Sequence, residues 1–92
     1  NELKENGLKK SVFFYSVYKK DTNSWGYKIY ENNKLIINQD VVPALNGNLN
    51  FKTELSATET AKLVIEKLNK NIFPPSITEE EIRKILIENE KE

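Results

Sequence analysis

Trp25-Gly26-Tyr27-Lys28-Ile29-Tyr30-Glu31-Asn32-Asn33-Lys34-Leu35-Ile36-Ile37-Asn38-Gln39 is the stretch that decides the fold. Trp25, Tyr27 and Ile29 alternate with Gly26, Lys28 and Tyr30, the period-two pattern of a half-buried strand. Asn32-Asn33 reads as a two-residue hairpin turn, because Asn tolerates the positive φ that such turns require. Lys34–Gln39 is then the returning strand. Pairing Glu31 with Lys34 sets Ile29 opposite Ile36 and Tyr27 opposite Asn38. This register places Trp25, Tyr27, Ile29 and Ile36 on one face, the expected core. Lys28, Tyr30, Leu35 and Ile37 share the other, and Leu35 and Ile37 argue that this second face is not fully solvated.

Toward the N-terminus, Ser11–Lys20 is rich in β-branched and aromatic residues (Val12, Phe13, Phe14, Tyr15, Val17, Tyr18), which marks a strand. Asp21-Thr22-Asn23-Ser24 supplies turn chemistry between the two strands. Residues 1–10 are polar apart from Leu3 and Leu8 and read as a flexible lead or linker. That leaves residues 11–92 as a single domain.

Toward the C-terminus, Asp40–Asn50 holds Pro43, Gly47 and several Asn and reads as a long loop, with Phe51 anchoring its far end. Ser56 and Glu59 have capping-box spacing, and Ala57, Ala61, Val64, Ile65, Leu68 and Ile72 form one apolar helical stripe. Lys67 and Lys70 lie where the helix macrodipole favours cations. Pro74-Pro75 stops this helix. A second capping box, Thr78 with Glu81, opens a shorter helix, with Ile77 and Ile82 as its hydrophobic staple and a charged, fraying tail at Glu88–Glu92. Strands followed by helices imply an α+β fold: an antiparallel sheet of three or more strands with one long and one short helix packed on one face.

Composition narrows the chemistry. Ninety-two residues make one domain with a small interior, burying about 60–65% of the unfolded surface. Fourteen basic residues balance fourteen acidic ones, so the chain is not a wholesale polycation for nucleic acid or membrane. There is no His and no Cys. The usual zinc sites, Ser-His-Asp triads, Cys-His pairs and disulfides therefore lack their parts. The expectation is a non-enzyme with no metal and no cofactor. No apolar run approaches the ~20 residues of a transmembrane helix. A chain that starts at Asn1 reads as a processed or trimmed fragment.

Four groups of residues merit comparison with blander readings. An aromatic and basic hairpin presents Tyr15, Tyr18 and Tyr30 among Lys9, Lys10, Lys19, Lys20, Lys28 and Lys34. It could stack sugars or bases, or its aromatics could be strand formers with lysines guarding the edges. Asn38, Gln39 and Asp40 offer donors and acceptors beside Val41 and Val42, with Trp25 nearby; turn chemistry explains the same residues. Asp21, Glu31 and Asp40 lie near strand ends and could meet as an acid–base pair. In the second helix, Ile82, Ile85, Leu86 and Ile87 are more apolar than a surface helix needs, which fits either docking on its own domain or burial in a homodimer.

A wider pattern joins these pieces. It comprises Trp25-Gly26-Tyr27-x-Ile29-Tyr30, Lys34-Leu35-x-Ile37-x-Gln39, Pro43-Ala44, Phe51, Ala61-Lys62-Leu63-Val64 and Asn71-Ile72-Phe73-Pro74-Pro75-x-Ile77-Thr78. Over residues 11–87 it resembles a family of small exported bacterial domains of unknown function, number forty-nine-oh-seven in that naming scheme. The resemblance implies export to the periplasm or a membrane-anchored lipoprotein, and it carries over no catalytic residue. The family often shows His-Gln-Pro where this chain has Asn38-Gln39-Asp40, so only Gln39 matches. The expected function is a non-catalytic binding module contacting a peptide, glycan or protein partner at the bacterial envelope, where nucleic acid is an odd partner. Trp25, Tyr30, Asn38, Gln39 and Asp40 are its candidate binding residues. The alternative is a structural or oligomerisation domain that pairs through a strand edge or the C-terminal helix.

Overall fold

The computed structural model describes residues 11–91, so the expected lead at residues 1–10 lies outside the described residues. Strands β1 (Phe13–Asp21), β2 (Ser24–Glu31) and β3 (Lys34–Gln39) precede helices α1 (Glu54–Asn69) and α2 (Glu79–Asn89). The strands form one antiparallel sheet in the order β1-β2-β3. This is the α+β arrangement that the order of elements implies. Asn32 and Asn33 adopt φ of 51° and 70°, the left-handed pair that a tight hairpin turn requires. Asn32 also clamps the start of β1: its Oδ1 accepts from the Val12 N–H, and its own N–H donates to the Val12 carbonyl, both at 2.9 Å.

The register of β3 differs from the sequence reading by one residue past the turn. Glu31 pairs with Lys34 and Tyr30 with Leu35, but Ile29 pairs with Ile37, Lys28 with Asn38 and Tyr27 with Gln39. Ile36 is the extra residue of a β-bulge. Because side chains alternate, that single insertion exchanges the faces of everything after it. Ile37 packs against the core, whereas Ile36, expected inside, is 39% exposed.

Tyr27, Ile29, Val42, Phe51, Ala57, Ala61, Val64, Leu68 and Ile82 form the buried core. Phe13, Tyr15, Val17, Trp25 and Ile37 pack around it from the sheet. Helix α1 lies over β1 and β2, α2 packs on α1, and no described helix lies over β3. Ala57 and Ala61 are fully buried, and their small side chains let α1 close on the sheet.

The cap of α1 is Thr53, not Ser56. The Ser56 N–H donates to Thr53 Oγ1 (3.1 Å), so the helix starts earlier than the Ser56/Glu59 spacing implies. It also ends at Asn69, which leaves Ile72 off the stripe and 45% exposed. The second capping box forms as expected: Thr78 accepts from the Glu81 N–H, and Glu81 accepts from the Thr78 N–H. The end of α2 is tied down where fraying is expected. Glu90 accepts from the Lys52 N–H (2.7 Å) and the Ser56 hydroxyl, and Thr53 Oγ1 donates to the Asn89 carbonyl (2.8 Å). A carboxylate at the N-terminus of α1 also complements its macrodipole.

Candidate functional site

Alternation along β1 and β2 sends one set of side chains to α1 and the other to the uncovered side of the sheet. On that open side Phe14, Tyr30 and Leu35 fall in one row, because Phe14 pairs with Tyr30 and Tyr30 with Leu35. The Phe14 and Tyr30 rings stack, with centroids 4.9 Å apart and planes 15° from parallel. Phe14 is 42% and Leu35 47% exposed, and Ile36 beside them is also exposed. The row thus leaves apolar surface on the side of the sheet that no described helix covers, where a contact surface is the usual explanation.

Further along the same side the polar groups are committed to one another. Tyr18 Oη donates to Asn38 Oδ1 (2.8 Å), reaching from β1 to β3 across β2. The strand it crosses carries Gly26 at that point, where a Cβ would sit 2.7 Å from Tyr18 Cζ. Glycine is therefore what lets the phenol pass. Burial, and then the Asp40 carboxylate, push the Tyr18 hydroxyl above its ordinary pKa. Lys28 Nζ sits 5.4 Å from the centre of the Tyr18 ring. Lys20 Nζ donates to the Asp40 carbonyl (2.9 Å) and lies 3.7 Å from its carboxylate.

The structure divides the residues chosen from the sequence. Tyr30, Asn38 and Asp40 belong to the open side and its far end. Trp25 is on the helical side, half-buried, its backbone N–H donating to the Phe51 carbonyl (2.9 Å). Lys19 Nζ lies 5.9 Å from the Trp25 ring centre. Gln39, opposite Tyr27, donates from Nε2 to the Val41 carbonyl (2.7 Å) and so braces the loop. Tyr15 also faces the helical side, so the three tyrosines do not form one surface. Of the carboxylates, Asp21 and Asp40 share one end of the sheet. Glu31 is at the other end, accepting from the Ser11 hydroxyl. Among the described residues no cluster of His, Cys, Asp or Glu could hold a metal ion.

The long loop is folded onto the domain rather than held open. Val42 is buried in the core, and its N–H donates to the Leu49 carbonyl (2.7 Å). A groove of about 710 Å³ runs between this loop and the end of α2, lined by residues that include Asn48, Leu49, Lys52, Leu86 and Glu90. Its carboxylate, Glu90, is already held by the start of α1. In α2, Ile82 is buried and Ile85 and Leu86 half-buried, so most of the excess apolar character docks on the domain itself; Ile87 alone is 68% exposed.

Phe14, Leu35 and Ile36 are the site residues that sequence reasoning missed. Phe14 reads as a strand former, and only the β1–β2 register shows that it shares a face with Tyr30. No described helix is long and apolar enough to cross a membrane. The family described as Domain of unknown function (DUF4907) matches residues 16–84. No curated protein and no solved structure matches the chain.

Proposed function

The chain belongs to the DUF4907 family, a domain of unknown function, and from that premise we propose that it is a non-catalytic contact module whose open sheet side engages a protein partner at the bacterial envelope. The observation that carries this reading is the Phe14–Tyr30–Leu35 row, with Phe14 and Leu35 exposed on either side of a half-buried Tyr30. Its neighbours favour a protein over a glycan. The two rings spend one face on each other, the flanking groups Leu35 and Ile36 are aliphatic, and Asn38 and Asp40, which could have bonded sugar hydroxyls, already serve Tyr18 and Lys20. Apolar anchors of this kind suit the side chains of a peptide or protein surface. The envelope location rests on the family resemblance.

The test is a peptide-array screen followed by amide chemical-shift mapping of the best binder. Perturbations should centre on Phe14, Tyr30 and Leu35. The pair Phe14→Ser and Leu35→Ser should weaken binding by roughly tenfold or more, while Ile87→Ser leaves it unchanged. Perturbations confined to the groove between the loop and α2, or full affinity in the double variant, would refute the assignment.

A further inference from the structure

Strand β3 stands apart from the rest of the sheet. No described helix covers it, and among the described residues no strand pairs with its outer edge. Its middle is Leu35-Ile36-Ile37-Asn38, four residues without charge, with Leu35 and Ile36 exposed. Edge strands are blocked from pairing by a charge or a proline within the strand, by shortness or by a bulge, and of these β3 has its short length and the bulge at Ile36. Here the charges sit only at the two ends: Lys34 at the start and Asp40 just past Gln39. They are of opposite sign, and the Asp40 side chain, although 3.7 Å from Lys20 Nζ, stays 59% exposed and can take a second cation. A parallel arrangement of two such strands would set Lys34 against Lys34. An antiparallel arrangement about a two-fold axis sets Lys34 of each copy beside Asp40 of the other, twice. The bulge at Ile36 twists the edge locally, so the joint relies on a few backbone bonds near the strand's midpoint together with the aliphatic side chains around it.

We infer that the chain forms a two-fold dimer through β3, with Lys34 and Asp40 as the residues that fix its direction. The dimer continues the sheet from one copy to the next and brings the two Phe14–Tyr30–Leu35 rows to either side of the joint. The inference goes beyond the partner reading. The two share Leu35 and Ile36, but Phe14 lies on β1, two strands from the joint, and Lys34 and Asp40 are outside the apolar row.

Sedimentation velocity of the full chain, from micromolar to millimolar concentration, tests it. A reversible dimer is expected. Lys34→Asp and Asp40→Lys should each weaken self-association roughly tenfold, since each reverses both charge pairs. Mixing the two single variants should restore it, because in the mixed dimer both pairs are again opposite in sign. Ile36→Lys should give a monomer whose urea midpoint matches that of the wild type at a concentration low enough to keep both monomeric. Phe14→Ser should leave the dimer intact, which separates this outcome from loss of partner binding. A wild-type monomer at millimolar concentration, or charge variants that dimerise as well alone as mixed, would overturn the inference.

Discussion

Phe51 and Phe14 are the same side chain on opposite sides of one sheet. Phe51 is completely buried, its ring tilted against Tyr27 at 5.9 Å. Phe14 is 42% exposed, stacked on Tyr30. What separates them is the helical layer. Helix α1 closes over β1 and β2 through Ala57 and Ala61, and Ile82 of α2 completes the seal. Nothing among the described residues does the same for the other side. A sheet in so small a domain can bury one face well. Here the second face is also furnished with large apolar groups, so cover rather than residue type decides which aromatic stabilises the fold and which is available for contact.

The largest expected effect measures that contrast directly. Phe51→Ala should lose about 3–5 kcal/mol of stability, the usual cost of an aromatic core truncation. Phe14→Ala forfeits its ring pairing and a partly exposed surface and should lose about 0.5–1.5 kcal/mol. Urea unfolding of both variants gives the comparison. Equal losses would mean that the open side is a second core. Gly26→Ala is the next largest and probes a tightly packed spot on the open side. The added methyl would lie 2.7 Å from the Tyr18 ring and 2.9 Å from the Gln39 carbonyl oxygen. Tyr18 can swing away, but the β3 backbone cannot, so a loss of about 1–3 kcal/mol is expected. Adding Tyr18→Ala should recover part of it, and the double-mutant cycle reads that coupling. Strict additivity would show that the crossing phenol is not what requires glycine.

The helical side was more legible in the sequence than the open side, for physical reasons. The Asn32-Asn33 turn, the Phe51 anchor and the Thr78/Glu81 box are local signals, each set by residues within a few positions of one another. The bulge at Ile36 is not local in that sense. Leu35, Ile36 and Ile37 are all apolar, so either register buries an isoleucine, and only packing against the assembled core selects Ile37. The start of α1 differs from the Ser56/Glu59 spacing for a related reason: Thr53, three residues earlier, takes the cap, and Ser56 is the buried donor to Glu90. At the candidate site, Tyr30 followed from alternation. Phe14 required the β1–β2 register, which no local pattern encodes. Trp25 and Gln39 have the chemistry of binding residues, yet both serve the fold: the Trp25 side chain packs against the core, and Gln39 bonds the loop backbone.

The helical layer is itself fastened by polar contacts, and removing them should bring its two ends closer to the open side in character. Thr78→Ala deletes the cap of α2 and should cost about 1 kcal/mol in urea unfolding. Its effect should appear as earlier hydrogen exchange in α2 while β1 and β2 remain protected. If the sheet loosens equally, α2 and the sheet unfold as one unit, and the helical side is less separable than the packing implies.

The smallest effect is electrostatic. Glu81 accepts from the Thr78 N–H and pairs with Lys67 Nζ, both at 2.9 Å. The backbone hydrogen bond first, and Lys67 second, hold its carboxyl below the usual carboxylate range. A carboxyl whose folded value is depressed binds its proton more readily in the unfolded chain. The stability it contributes is therefore fully present above the unfolded value and is lost as pH falls through the folded one. Urea midpoints followed down the acid side should fall less steeply for Glu81→Gln than for the wild type, by a margin kept small because the pair is partly solvated. Phe14→Ala should shift the whole curve without changing that slope, since the open-side row contains no titrating carboxylate. An acid slope that changes with Phe14 and not with Glu81 would place the pH-sensitive contact on the wrong side of the sheet and remove the division between a fastened layer and an open one.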